Sequence, residues 1–293
     1  MLKRLLVVAC LVVSAPSLCA QGAPRPARDP EAINTTIRIV TLENSTRLSV
    51  KEQEDLVREI RRATSGERIA DETPEDISDE LAERVKAAYQ NKGYFLAEVT
   101  ARVIPVSIGK TGRSFDAVVE VLRERLQYRL RDIHCKNMTA FSEQQLLDVI
   151  PIHPGEIFSR VKIAEGLEAL RRLYGSHGYV NFTSIPSTEI DDENASIALK
   201  IDVDEGGVFR FRNLSIVGLD DSKVQQFQRT WEQLRGQPYS QESLRSFFDK
   251  LVRSVPPGVD PVEYTTRRLD ERARTVDVSI TFAPQPFSRE TQH

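Results

Sequence analysis

His134 and Cys135 adjoin in the chain, and an imidazole beside a thiol is the pairing that a thiolate nucleophile or a soft metal site would use. His153 and His177 have no carboxylate or cysteine at the spacing of a ligand set. Nor does the sequence contain a Gly-x-Ser-x-Gly, a His-Glu-x-x-His or a phosphate-binding glycine loop. These residues predict no catalytic, cofactor-binding or metal-ligating set, and the chain reads as a non-enzyme. The chemistry left to it is that of the backbone, since the N–H and C=O groups along an unpaired strand edge can hydrogen-bond a guest strand.

The 293 residues are 40% hydrophobic and 28% charged with a net charge of −3, which allows sizeable cores and argues against a dedicated nucleic-acid binder. Lys3 and Arg4, the apolar stretch 5–13 and the small-residue exit 14–20 have the layout of a secretory signal peptide, so 1–20 is expected to be removed. Pro16, Ser17 and Leu18 do not suit lipid attachment at Cys19. Loss of Lys3, Arg4, Cys10 and Cys19 takes the charge from −3 to −5 and leaves Cys135 without a disulfide partner. An exported chain of that kind must rely on ordinary cores. The leader 21–33, with Pro24, Pro26 and Pro30, reads as flexible. Beyond the N-terminus no apolar run is long enough to span a membrane as a helix.

The sequence repeats internally. Tyr128-Arg129-Leu130-Arg131-Asp132-Ile133-His134-Cys135 aligns with Phe209-Arg210-Phe211-Arg212-Asn213-Leu214-Ser215-Ile216, and Gly155-Glu156-Ile157-Phe158-Ser159 falls on Gly236-Gln237-Pro238-Tyr239-Ser240 in the same register. A weaker upstream copy starts at Ile37, and Tyr89 with Gly93-Tyr94 recurs as Tyr174 with Gly178-Tyr179. Cys135 therefore matches Ile216 at an inward strand position and reads as a small buried hydrophobe. The expected units are 34–124, 125–205 and 206–283, followed by a polar tail at 284–293.

Each unit shows the same order of periodicities. A short strand (Tyr128, Leu130; Phe209, Phe211) precedes an amphipathic helix, such as 142–149 or 221–234. A second helix follows, as in 159–177, where Ile163, Leu167, Leu170 and Tyr174 line one face and Gly175 and Gly178 stand where the helix must stop. Two strands close the unit. The last alternates cleanly: Phe115, Ala117, Val119, Val121; Ile197, Leu199, Ile201, Val203; Val276, Val278, Ile280, Phe282. The fold class is α+β, three tandem β-α-α-β-β units, each a three-stranded mixed sheet with two helices on one face. With the last strand pairing both others, the second strand is left on an edge.

The strand opening Tyr-x-Leu-x-x-Ile, the segment Pro154-Gly155-Glu156-Ile157-Phe158-Ser159 and the helix ending Tyr174-Gly175-Ser176-His177-Gly178-Tyr179 resemble the POTRA (polypeptide-transport-associated) domain. The resemblance runs over 34–283. It departs in the first unit, where 65–79 is long and acidic, and in the third, where Pro256-Pro257-Gly258-Val259 replaces the Gly-Tyr pair. It implies a periplasmic interaction module or scaffold in outer-membrane and envelope protein assembly or transport. The partners it implies are outer-membrane β-barrel or envelope assembly proteins and unfolded polypeptides, bound by strand addition. No barrel-like succession of alternating segments follows, so the resemblance implies the part before the pore. A divisome or secretion-complex scaffold is the alternative, and a periplasmic hydrolase with an unfamiliar site a distant one. Gly175-Ser176-His177-Gly178 fits the Gly-x-x-Gly of RNA-binding KH domains, but that loop joins two helices and this one follows the second, and the acidic charge opposes RNA.

The expected partner-binding edge is the second strand of the middle unit, with Tyr179, Val180, Asn181, Phe182, Thr183 and Ile185, and its counterpart from Tyr94 in the first. Pro186 limits pairing at the far end. Charge is uneven: 14 basic against 17 acidic residues in 34–124, 9 against 13 in 125–205, and 12 against 10 in 206–283. Arg210, Arg212, Arg267, Arg268, Arg272 and Arg274 form a candidate basic surface for an acidic partner or peripheral contact with anionic lipid, or else a solvated sheet face.

Overall fold

A computed structural model describes residues 32–69, 72–109, 112–252, 259–260 and 265–284. The expected signal peptide, almost all of the leader, Pro256 to Gly258 and the tail beyond Pro284 lie outside them. By compactness the chain falls into two groupings, Met1–His134 with Ile150–Gly166 and Pro186–Lys200, and Cys135–Val149 with Leu167–Ile185 and Ile201–His293. The middle third of the chain contributes segments to each.

The elements are β1 (Ala32–Glu43), α1 (Val50–Thr64), β2 (Gly66–Ile69), α2 (Pro74–Asn91), β3 (Glu98–Ile108), β4 (Gly112–Arg123), β5 (Arg129–Lys136), α3 (Glu143–Leu147), α4 (Arg160–Ser176), β6 (Thr183–Asp191), β7 (Ser196–Asp204), β8 (Arg210–Val217), α5 (Asp221–Trp231), α6 (Gln241–Val252), β9 (Val259–Asp260), β10 (Thr265–Asp270), β11 (Thr275–Thr281) and β12 (Ala283–Pro284). The main sheets run β2-β1-β4-β3, β5-β7-β6 and β10-β11-β8. In each, the last strand of the unit is central. β4 and β11 pair parallel with the first strand and antiparallel with the second. A strand flanked on both sides has one face for the helices and one for solvent, and the inward residues of β4 (Phe115, Ala117, Val119, Val121) and β11 (Val276, Val278, Ile280) are buried.

The first sheet departs from expectation by carrying a fourth strand. β2 pairs antiparallel with the first four residues of β1, Ala32↔Ile69 to Thr35↔Gly66. It grows from the long acidic segment. Arg68 is held by Glu72 and Glu80, and buried Arg113 donates to Thr35 Oγ1 at 2.8 Å and to Glu72. Likewise Pro284, expected in the tail, belongs to β12, which pairs with β9.

The three-residue spacing Leu-x-x-Ile marks a β-bulge. The register of β1 on β4 shifts between Ile37 and Ile39, so Val40 turns inward and Ile39 is 52% exposed. The register of β8 on β11 shifts between Val276 and Val278, and Phe211 and Leu214 are both buried. Leu130, Ile133 and Cys135 show the same phase change in β5.

Helix ends are set locally. Ser49 with Glu52, Thr73 with Asp76 and Ser142 with Gln145 form reciprocal capping boxes. The α1–α2 layer packs Ile60, Leu81, Val85 and Tyr89 against Ile37, Phe115 and Val119. In the third sheet Trp231 sits edge-on to Phe211 and Phe247, with ring centroids 5.3 and 5.1 Å away.

Candidate functional site: the sheet edges

A first strand has one flank against the central strand and one outward, and in each main sheet the start of the outward flank is closed by the chain itself. For β5 the closing segment is 155–158: the Leu130 amide donates to Glu156 O at 2.8 Å, Gly155 N donates to Leu130 O at 2.7 Å, and Phe158 N to Tyr128 O at 3.0 Å. For β8 it is 236–239, with Phe211 N to Gln237 O at 3.0 Å, Gly236 N to Phe211 O at 2.8 Å and Tyr239 N to Phe209 O at 2.7 Å. β2 does this for β1. Helix side chains continue the cover, since Glu143 accepts from Cys135 N at 3.0 Å, Gln228 donates to Leu214 O at 2.8 Å and Trp231 to Arg212 O at 3.2 Å. The Pro-Gly-Glu-Ile-Phe-Ser segment is thus an edge guard.

The second strands β3, β6 and β10 end their sheets, and among the described residues no strand pairs with their outer flanks. β3 contains Pro105, next to a register shift, and β6 contains Pro186. An edge-strand proline is accommodated with its nitrogen turned away from the sheet. Backbone direction alternates along a strand, so Ser184 and Thr188 share the orientation of Pro186 and point their N–H groups off the sheet.

The expected middle edge begins later than the sequence suggested. Thr183, Ser184 and Ile185 lie in β6, and Ile185 is 69% exposed. Tyr179, Val180, Asn181 and Phe182 precede the strand in a turn. Their side chains have other work. Phe182 is buried and stacks on Tyr174 at 4.2 Å, with the ring planes 15° apart. Tyr179 bridges Val208, Val180 packs against the third core, and Asn181 Nδ2 donates to Glu271 at 2.9 Å. Tyr94 also lies before its strand, edge-on to Tyr89 at 5.9 Å. Phe182 thus plugs the turn, whereas Tyr94 and Tyr179 are half-buried against Tyr89 and Tyr174.

Gly93 and Gly178 have positive φ of 85° and 94° and mark junctions. The Gly93 carbonyl accepts from Tyr128 N and the Gly178 carbonyl from Phe209 N, both at 2.8 Å. A Cβ on Gly178 would stand 2.9 Å from Phe209 O, so only glycine fits. Gly175 is not a stop, because α4 runs through it to Ser176.

Sequence reasoning missed a repeated carboxylate lock. Glu124 accepts from Thr46 N at 2.7 Å, from Thr46 Oγ1, from Arg47 N at 2.9 Å and from Tyr89 OH at 2.8 Å. Glu205 accepts from Thr139 N at 2.7 Å, from Thr139 Oγ1, from Ala140 N at 2.9 Å and from Tyr174 OH at 2.9 Å. Burial works against each charge, but the hydrogen bonds outweigh it and hold both carboxyls below the ordinary value. Asn44 and Asn137 precede these turns in left-handed conformations, φ 58° and 61°. The repeated Asn-x-Thr at 44–46 and 137–139 was the available signal.

The six arginines differ in their partners. Arg212 lies between Asp270, at 3.2 Å, and Asp277, at 2.5 Å. Arg210 donates to Gly236 O at 2.8 Å and Arg267 to Tyr239 OH at 3.0 Å. Arg274 lies against Gly207, while Arg268 and Arg272 are exposed. Cys135 is buried, which pushes its thiol up to about 11. Among the described residues no group of three or more His, Cys, Asp or Glu could hold a metal, and no helix is long and apolar enough to cross a membrane.

Comparison with known proteins places these features. Residues 128–206 match the POTRA family model, described as surface antigen variable number repeat. The outer membrane protein assembly factor BamA of Buchnera aphidicola is 24% identical over 184 residues, 62% of this chain and 29% of that protein, so the chain spans under a third of the relative's length. The fold matches Haemophilus influenzae BamA POTRA3-5 with a TM-score of 0.57, at 19% identity, over 88% of this chain and 99% of that one. Residues 128–206 are thus similar to a POTRA domain, and the chain has the fold of consecutive POTRA domains.

Proposed function

We propose that the chain, exported to the periplasm after loss of 1–20, is a non-enzymatic module of three units (34–124, 125–205 and 206–283) in outer-membrane or envelope protein assembly or transport. It takes partner proteins or unfolded substrates as an added strand on its second-strand edges. The carrying observation is the asymmetry of the edges: first strands are covered over their opening residues by their own chain, and β3, β6 and β10 are not paired on their outer flanks among the described residues. The name of the BamA relative, an assembly factor, supports the setting.

β6 is the lead edge, with Thr183, Ser184 and Ile185 contacting the guest, while Tyr94, Tyr179, Val180, Asn181 and Phe182 fix where the strands begin. Fluorescence anisotropy with a labelled peptide of alternating apolar and polar residues tests this. Ser184→Pro removes an outward N–H and is expected to weaken binding about tenfold, roughly the worth of one backbone hydrogen bond with its partner left unpaired. Equal affinity in a variant with an unchanged circular dichroism spectrum overturns the assignment to β6.

A further inference from the structure

We propose that β10, the edge of the third sheet, selects acidic extended segments. This rests on the strand-addition reading and adds a chemical class of guest to it. β3 and β6 each contain a proline, whereas Thr265–Asp270 has none, so every residue of β10 keeps its N–H. Arg267 and Arg268 are adjacent in the strand and project to opposite faces, placing a cation on either side of a paired guest. Arg267 donates to the phenol oxygen of Tyr239, and among the described residues no carboxylate forms an ion pair with it. Arg268 is exposed and shares the field of Asp277 with Arg212, which already holds that carboxylate. Leu269, 41% exposed, adds an apolar contact, and Arg272 stands exposed in the following turn. β6, in contrast, carries Glu189 and Asp191 and no cation.

Arginines on an open edge repel a second copy of the same edge. The same charges attract a strand bearing Asp or Glu, which makes one feature serve both exclusion and selection. The guest is a segment with neighbouring acidic residues, so that one carboxylate faces each arginine.

The test uses the full chain with labelled strand-forming peptides: one acidic, one with lysine in place of each acid, one neutral, and an acidic peptide N-methylated at alternate residues. Phosphatidylglycerol vesicles form a further arm. The acidic peptide is expected to bind about tenfold tighter than the lysine peptide at low salt, with the difference fading as salt screens it. Arg267→Gln/Arg268→Gln should abolish that preference while leaving neutral-peptide binding unchanged, and N-methylation should abolish acidic binding. An unaltered preference in the double variant, or undiminished binding of the N-methylated peptide, overturns the proposal. Equal binding of acidic and lysine peptides, with the acidic one blocked by N-methylation, overturns acid selection but leaves strand addition standing. Binding of no peptide overturns both, and vesicle binding lost in the double variant then assigns the arginines to lipid.

Discussion

The amide of Leu130 donates to the carbonyl of Glu156 at 2.8 Å, which closes the outer flank of β5 with a segment of the same chain. The equivalent pair in the third sheet is Phe211 and Gln237, at 3.0 Å. A sheet edge sealed from within cannot take a guest, so the guarded first strands direct attention to the opposite end of each sheet.

The lock at Glu205 should be structural. Glu205→Ala leaves Thr139 N, Ala140 N and Tyr174 OH without their acceptor and is expected to cost about 2 kcal/mol. Tyr174→Phe should cost about 1 kcal/mol. Urea titration reads both, and a loss in Tyr174→Phe as large as in Glu205→Ala would contradict a network with several donors.

Two glycines three residues apart should respond with opposite signs. Gly178→Ala forces a side chain to φ 94° and toward Phe209 O, and is expected to destabilise by about 2 kcal/mol. Gly175 lies inside α4 with open space at its Cβ, so Gly175→Ala should stabilise by up to about 1 kcal/mol. Thermal melts of the two variants check the ordering.

Acid should weaken the fold through the same carboxylates. Glu124 and Glu205 have folded-state pKa values below the ordinary 4.5, so their contribution is complete above 4.5 and is lost as pH falls through the folded values. The urea midpoint should decline below pH 4.5, and Glu124→Gln/Glu205→Gln should flatten that decline. An unchanged slope in the double variant would show that other groups carry the acid response.

Neighbouring apolar residues around the start of β6 should separate stability from binding. Phe182→Ala opens a cavity against Tyr174 and should cost about 3 kcal/mol. Ile185→Ser, on the exposed strand, should change stability by less than about 0.5 kcal/mol. Its effect should appear as weaker peptide binding in anisotropy, and unchanged binding would remove Ile185 from the contact surface.

The parts of the fold legible in the sequence are those whose burial imposes a period. The alternation at Phe115 to Val121 and Val276 to Phe282 identified the central strands because a strand between two others must hide one face. β2 was not legible, since Gly66–Ile69 has no alternation and its place depends on pairing with β1 and on the Arg68 and Arg113 ion pairs. The start of β6 was misjudged because Tyr179 and Phe182 have strand-like composition, and only their packing on Tyr174 shows that they belong to a turn. The carboxylate lock escaped because its partners are far apart in sequence, although each half repeats. The separate bonds of Arg210, Arg212 and Arg267 are tertiary, so a count of arginines could not distinguish those in ion pairs from the rest.

The most direct measurement of the central claim is residue-resolved amide hydrogen exchange of the full chain, with and without an extended guest peptide. Strand addition at β6 predicts that Ser184 and Thr188 gain protection on binding, while Leu130 and Phe211, already bonded to their guards, do not change. Protection appearing at the first strands, or a bound peptide that leaves Ser184 and Thr188 exchanging as before, would contradict it.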